Sequence, residues 1–510
     1  KMLIGYCNCP LSSYFDEWVA IHLKELVENY DPDGIWVDGD WAGPCYCERC
    51  QKRFRSETGI KEPWSEVIKR ADFYEIYRPV WLKIESEWRE RFNAYLKKLK
   101  PSCVYSAGNV SPRSEFLAPF DWRSGDFFSP GYFMLHDMAR MMRWYDTLNI
   151  PYDAYICDTS FTHARKEVRS RSKTLQRMLQ EAATVASNGG VVGYWTYPLG
   201  NGAFVPSRME KAIEVRRYLA KREKCFLGTK GFRWTAVLMA DSSLPMFGGS
   251  ALEGAHKLLA ELHKSPLIMD EVELLHRKGR LNDFELIILP EEKYLNKNVV
   301  KYLANFVKNG GKLLTTGRTI DAIGVQELVG IRLLARNAVT DGNVIRKECE
   351  EPAGIDTSWD KVECTGAKEI YPLYLSWDQF NAEARQFPNN WPMHGQIDEE
   401  KPEPAGMPAA TYRRIGKGGI LHIASDVFSY YRRFGDRQVF GWLREIIDFL
   451  IPSPLFSTDA PSWVDVSIRR KGNGVFIHFV NQNSGRDMCK LNTDDLWVDE
   501  IPEVGPFIIN

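Results

Sequence analysis

The sequence predicts an α/β protein: a (β/α)8-type barrel, then a three-layer α/β domain of flavodoxin or glutaminase-like type, then a small C-terminal β-sandwich. Three observations predict it. Up to about residue 222, short apolar strands alternate with longer amphipathic helices, the pattern of a parallel sheet with helical crossovers. Polar or aromatic residues close nearly every one of these strands, among them Asp38, Asp40, Asn109, Asp158, Thr159 and Trp195, and barrel sites are built at such strand ends. The chain has 510 residues, too many for one ordinary core, and the alternation starts afresh near residue 230.

The elements follow in order. "LIGYCNC" reads as a strand. "SSYFDEWVAIHLKELVENY" is a helix with Phe15, Trp18, Val19, Leu23, Leu26, Val27 and Tyr30 at helical spacing and Ser12 or Ser13 as its N-cap. The turn "DPDG" opens a buried strand, "GIWVDGD". A helix over about 72–99 leads to "CVYSAGN", and "GDFFSPG" is a further strand. Helices near 136–148 and 172–187 flank "PYDAYICDT", the second ending at a "NGG" cap. "GVVGYWTY" and a helix near 208–222 close the series. About six strands are counted where a closed barrel has eight in roughly 250 residues, so two units are missing and upstream sequence is expected before Lys1, which leaves secretion open. A doubly wound open sheet is the alternative topology.

The second unit holds "WTAVLMADSS", "GSALEGAHKLLAELHK", "DFELIILPEEKYL" and "NVVKYLANFVKNGGKLLTTGRT". They alternate strand and helix and carry neither a Gly-rich phosphate loop nor a nucleophile elbow. Residues 330–405, rich in charge, Pro and Asn, read as an irregular insertion, after which "GKGGILHIASDVF" resumes the domain. "VDVSIRRKGNGVFIHFVNQ" is a strand pair about a "KGNG" turn. The expected domains are 1–225, 226–455 and 456–510.

Composition excludes some functions. A net charge of −1 offers no basic footprint for nucleic acid or anionic membrane, and no apolar run is long enough to span a bilayer. Sixteen Trp residues, several near strand ends, suit the stacking of sugar C–H faces, with core packing as the ordinary alternative. There are eleven Cys, five of them in the first fifty residues, an odd total that reads as reduced thiols around a metal in a cytoplasmic protein.

One loop concentrates the chemistry. Asp38 and Asp40 stand two apart at the mouth of an apolar strand, so both side chains face one side. Each loses solvation and repels the other's charge, an arrangement that suits work on a substrate or a cation, against the bland reading of a solvated turn. Cys45, Cys47 and Cys50 follow at once. Three thiolates from one loop suit tetrahedral zinc, with Cys7 or Cys9 of the neighbouring strand as the fourth ligand. A closed shell of four thiolates makes such a metal structural, and no cofactor is expected for catalysis.

"LKELVENYDPDGIWVDGDW" resembles the nucleophile segment of the retaining α-L-fucosidases of glycoside hydrolase family 29, where a helix ending in "ELl.nYgp" precedes a strand "iWfDG". Family 151 and its relatives are more similar still, in "DGIWFDGDW.PCYC". The resemblance spans about residues 1–205 and implies Asp38 as nucleophile. It puts Asp158 of "YICDTS" where the acid/base Glu would lie, a departure by one methylene, with Glu115, Asp126 and Asp40 as competitors. The family's substrate-binding histidine pair would lie upstream. "CYCERCQKRF" is similar to the zinc-binding loop of family 42 β-galactosidases, and residues 230–330 and 411–450 resemble that family's trimerisation domain, which implies a homo-oligomer, dimer or trimer.

The resemblance therefore implies a retaining α-L-fucosidase acting on a glycoside or oligosaccharide, with Trp41, Tyr105, Asn109, Trp195 and Tyr197 as candidate sugar contacts. Two alternatives stand beside it. A β-galactosidase-like enzyme would use Asp40 as acid/base and needs a late-strand Glu that is not present. A catalytically inactive carbohydrate-binding protein would keep the aromatic cleft without a competent acid.

Overall fold

The computed structural model describes residues 8–37, 45–70, 72–107, 120–127, 135–164, 167–240, 250–276, 281–293, 295–375, 403–483 and 500–510. The chain divides into two compact units. The first is Lys1–Phe127 with Asn149–Tyr155 and Val191–Gly193; the second is Phe128–Leu148, Ile156–Gly190 and Tyr194–Asn510. The division falls inside the first expected domain.

In the first unit β1 (Gly34–Val37) pairs in parallel with β2 (Val104–Ala107), in register Gly34↔Val104 to Val37↔Ala107. β2 is tied to the entry of β3 (Arg123–Phe127): Asp121 N–H donates to Tyr105 O, and Ser106 Oγ to Trp122 O. β3, β4 (Tyr152–Cys157) and β7 (Val191–Trp195) form a three-stranded sheet in that order; β5 (Thr159–Ala164) and β6 (Glu167–Ser172), which fall between β4 and β7 along the chain and belong to the second unit, make a separate hairpin. Among the described residues neighbouring strands therefore follow chain order, without the reversal that marks a doubly wound sheet. Glycine permits two close approaches: a Cβ at Gly34 would lie 2.7 Å from the Val104 side chain, and one at Gly193 2.5 Å from the Tyr155 ring.

The first helix differs from its predicted face. Its first turn, Phe15–Val19, is a π turn, and Ala20–Tyr30 continues as α-helix to a left-handed Asp31 (φ 45°). Phe15 and Leu23 are buried and Val19 and Val27 half-buried, whereas Trp18, Leu26 and Tyr30 are exposed. A π turn holds more residues than an α turn, so the buried stripe runs 15, 19, 23, 27 and the intervening apolar residues rotate outward. β1, expected to be buried, is half-buried along its length.

The second unit is built on a nine-stranded sheet. β9 (Thr235–Met239), β10 (Leu267–Asp270), β11 (Leu286–Leu289), β12 (Lys312–Thr316) and β19 (Gly418–Ile423) are parallel, in spatial order β10-β9-β11-β12-β19. Counted among themselves this is 2-1-3-4-5, the flavodoxin order. All residues of β9, β10, β11 and β19 are buried, so both faces of the sheet are covered. The sheet then continues antiparallel through β18 (Pro404–Ile415), β17 (Lys368–Leu375), β14 (Gly342–Ile345) and β15 (Pro352–Ile355). β13 (Ile331–Val339) and β16 (Trp359–Cys364) form their own antiparallel pair. The supposed irregular insertion is thus largely strand through residue 375; residues 376–402 lie outside the described residues.

At the C-terminal end β20 (Val464–Lys471) lies between β21 (Gly474–Asn481) and β8 (Lys230–Gly231). This antiparallel sheet stands in place of the expected sandwich; no second sheet faces it among the described residues. Its central strand is clamped by buried ions. Arg143, on the helix Leu135–Thr147, donates to both oxygens of Asp465 (2.8 and 3.0 Å) and meets His256 at 3.1 Å. Arg469 reaches Asp146 at 2.8 Å and Thr229 Oγ1 at 2.6 Å. That helix, expected to belong with the barrel, is in this way bound to the C-terminal sheet and to the helix Ser250–Glu261. Among the described residues no helix is long and apolar enough to cross a membrane.

Candidate functional site

Four thiols converge in the first unit. The helix Glu48–Thr58 starts at Cys47, whose extended backbone (φ −68°, ψ 165°) turns the chain so that Cys45, Cys47 and Cys50 face inward, and it ends at Gly59 (φ 71°). Cys50 is fully buried with Phe54, against Tyr77 and Trp81. Cys9 completes the group: its Sγ lies 3.4 Å from that of Cys50 and 3.5 Å from that of Cys47, and all four Sγ atoms fall within 4.8 Å of one another. Four thiolates about 2.3 Å from a zinc ion stand roughly 3.8 Å apart, so the donor set fits a tetrahedral metal. Of the two candidate fourth ligands Cys9 is the one in the group, while Cys7 lies outside the described residues. Burial pushes the Cys9 thiol up to about 11. Burial pushes Cys47 the same way, but the Cys50 N–H and the neighbouring thiols outweigh it and hold Cys47 near 7. The wall behind is aromatic: Tyr77 O–H donates to Cys45 O at 2.5 Å, with Phe54, Trp64 and Phe73 packed around its ring.

The carboxylates are less evenly placed. Asp38 and Asp40 follow directly on β1, and with Trp41, Asn109 and Glu115 they lie outside the described residues; so does the side chain of Asp126, whose backbone is on β3. Trp36, two residues before Asp38, meets Tyr155 edge-on at 6.0 Å. Tyr105, expected as a sugar platform, is instead core: it is fully buried, stacked on Phe92 at 4.6 Å and packed against Phe120. Its strand position is the reason, since residues of β2 from Tyr105 onward all face packed interior.

Asp158 is described in full, and belongs to the second unit. It directly follows β4, is 0 % exposed, and its Oδ2 accepts a hydrogen bond from Thr196 Oγ1 at 2.6 Å; Tyr194 Oη lies 3.4 Å from the same oxygen and donates its one proton over the shorter 3.0 Å to Arg208 O, and Arg208 Nε stands 3.9 Å from Oδ2. Its backbone N–H donates to Trp195 O, and its own carbonyl accepts from Lys173 N–H. Burial, then the Asp158 carboxylate beside it, pushes the Tyr194 phenol well above its ordinary value. Behind this group Lys173 and Glu181 form a wholly buried pair, Nζ lying 2.9 Å from both carboxylate oxygens, with Arg177 Nε adding a third contact at 3.2 Å. Burial pulls the Lys173 ammonium down. Trp195 and Tyr197 are half-buried, ring centroids 5.7 Å apart.

Thr196, Tyr194, Arg208 and the Lys173–Glu181 pair were not singled out from sequence. A period-2 reading of "GYWTY" could have found the first two, because alternate residues of a strand share a side. Nothing in the spacing announced the others.

No family model and no curated protein matches the chain. Solved structures do. α-L-fucosidase isoenzyme 2 from Paenibacillus thiaminolyticus superposes with a TM-score of 0.71 at 16% identity, over 91% of this chain and 68% of that one. A β-galactosidase from Bacillus circulans sp. alkalophilus gives 0.71 at 14%, over 94% and 78%. The exo-β-1,4-mannosidase Op5Man5 from Opitutaceae bacterium strain TAV5 gives 0.52 at 12%, over 85% and 75%. The chain has the fold of these glycoside hydrolases.

Proposed function

We propose that this chain is a glycoside hydrolase, of the retaining α-L-fucosidase type. The observation that carries the reading is the coincidence of two independent likenesses: the fold it shares with an α-L-fucosidase over 91% of its length, and the motif "WVDGDW" standing at the end of β1. In this reading residues 1–225 are the catalytic (β/α) barrel, 226–455 an oligomer-forming α/β domain and 456–510 a C-terminal β domain.

The chemistry is a double displacement. Asp38 attacks the anomeric carbon while an acid protonates the leaving oxygen; the same group then activates water against the glycosyl-enzyme. Retention requires the two carboxyls to stand about 5–5.5 Å apart. The second carboxyl is drawn from Asp158, Glu115, Asp126 and Asp40. A proton donor must reach the glycosidic oxygen, and the complete burial of Asp158 with its Oδ2 already engaged favours the other three. Trp41, Asn109, Trp195 and Tyr197 remain candidate sugar contacts. Cys9, Cys45, Cys47 and Cys50 would hold a structural zinc, which fixes their loop and leaves no position open for substrate. The unpaired thiols fit a reducing, cytoplasmic setting.

The equal likeness to a β-galactosidase sustains a second reading, in which Asp40 is the acid/base. Hydrolysis of 4-nitrophenyl α-L-fucoside against the β-D-galactoside separates the two, and sugar binding without turnover of either points to a non-catalytic module. Asp38→Gly tests the nucleophile. The variant should lose hydrolysis and, given azide, form an azide adduct inverted at the anomeric carbon; unimpaired hydrolysis eliminates Asp38.

A further inference from the structure

Thr196 and Tyr194 stand two apart at the end of β7; the Thr196 hydroxyl donates to Asp158 Oδ2 at 2.6 Å, and Tyr194 Oη lies 3.4 Å from the same oxygen while donating to Arg208 O at 3.0 Å. Their side chains therefore share a side, and Trp195 and Tyr197 project to the other. Asp158 also grips the segment through its backbone, since its N–H donates to Trp195 O at 3.2 Å. The two rings, 5.7 Å apart and inclined by 36°, open a run of large apolar groups that continues to Leu199 and Phe204, which are 50 and 53 % exposed. The Leu199–Ala203 turn is itself hydrogen-bonded, Leu199 N–H to Ala203 O and Gly202 N–H to Leu199 O, so these groups are presented from an ordered loop.

A fully buried carboxylate gains its stability from the donors arranged around it. Here the Thr196 donor lies on the very strand end that carries the aromatic pair, and Arg208, on the following helix Pro206–Ala220, brings a positive charge to the same oxygen and accepts from Tyr194 Oη at its carbonyl.

We propose that Asp158 is a positioning residue: by holding the Thr196 hydroxyl and the Trp195 carbonyl it sets Trp195 and Tyr197 as an aromatic platform for the C–H face of a pyranose. The sugar class rests on the function proposed above. The role given to Asp158 differs from proton transfer and is open to a separate test.

The variants are Asp158→Asn, Thr196→Val and Thr196→Ser, each made also with Trp195→Phe so that the Trp195 signal is obtained by difference. Acrylamide quenching and near-ultraviolet circular dichroism of the free protein report the ring without any sugar. Kinetics on 4-nitrophenyl α-L-fucoside and on methyl α-L-fucoside, across pH, report the reaction. For Thr196→Val and Asp158→Asn the expected result is a Trp195 more open to quencher and a KM raised about tenfold, kcat changing less than about threefold, for both leaving groups alike. The basic limb of the pH profile stays in place, and Thr196→Ser, which keeps the hydroxyl, behaves as the unaltered protein.

An unchanged Trp195 signal in Thr196→Val overturns the proposal. So does an Asp158→Asn variant that loses the basic limb and fails selectively on the methyl glycoside, the signature of a missing acid. If the unaltered protein hydrolyses neither glycoside, the proposed activity fails, and the Trp195 comparison decides the positioning role by itself. Should Asp158→Asn not fold, the Thr196 pair carries the test.

Discussion

Glu291 follows β11 with a left-handed backbone (φ 57°), its carboxylate resting on the N–H of Arg318 at 3.2 Å to both oxygens. Gly317 makes room for it: a Cβ there would fall 1.7 Å from Glu291 Oε1. Burial, then the nearby Asp426 and Asp360 carboxyls, push Glu291 up to about 8 against the pull of Arg318, and burial raises Asp426 as well. Each folded value is above the unfolded one, so the native state keeps a proton that the unfolded chain releases. Stability should therefore fall as pH rises from the ordinary carboxyl range toward 8, by at most about 1.4 kcal/mol per pH unit for one proton. Glu291→Gln should flatten that slope in urea titrations at pH 5, 6.5 and 8; an unchanged slope sinks the assignment. None of this was visible in "LPEEKYL", because the partners come from 27 to 135 residues further on. The cysteine loop was legible for the opposite reason, its ligands being close in sequence. Tyr105 was misread because an aromatic at a strand end looks alike whether its faces meet solvent or Phe92.

At the level of elements, helices were the most legible, since a buried stripe at 3.6 spacing and a cap residue are both local. Asp436 shows the cap: its side chain accepts from the N–H of Gln438 at 2.8 Å and of Val439 at 3.2 Å, at the start of the helix Arg437–Leu450. Asp436→Ala should lower stability by about 1 kcal/mol, read from the urea midpoint at constant slope. Gly254 lies where the helix Ser250–Glu261 meets Val427–Phe434, and a Cβ there would come within 2.0 Å of the Phe428 carbonyl oxygen. Backbone cannot step aside as a side chain does, so Gly254→Ala should cost at least about 1–3 kcal/mol and shift the near-ultraviolet spectrum of these helices' aromatic neighbours. The strands β13 to β17 were the elements missed. Their burial is broken, as in the mixed pattern of β17, and Pro352 and Pro372 within them weakened the strand signal. The β5–β6 hairpin, with Phe161, Ala164 and Val168 its only apolar residues, offered no sustained alternation to read.

For the whole molecule, strand–helix alternation announced the architecture, and the strand order it could not supply turns on contacts between distant segments. The parallel core β10-β9-β11-β12-β19 joins residues 235 and 423, and β8 pairs with β20 across more than two hundred residues. Such pairings are chosen by packing, which no local pattern encodes. In the first unit a cluster of Cys50, Phe54, Val67, Tyr77, Val80, Trp81 and Ile84 has Cys9, Cys45 and Cys47 packed directly against it. A metal held by these thiols would add to the stability of this cluster, because binding free energy at a site absent from the unfolded chain is folding free energy. Purified protein should accordingly carry one zinc per chain, released by a strong chelator together with loss of amide protection in the helices Glu48–Thr58 and Phe73–Leu99. Cys50→Ser should lower zinc affinity and produce the same local loss without chelator, while β9, β11 and β12 keep their protection. Metal-free protein with full protection in both helices would show that aromatic packing alone holds the loop, and the four thiols would then be structural residues of the core.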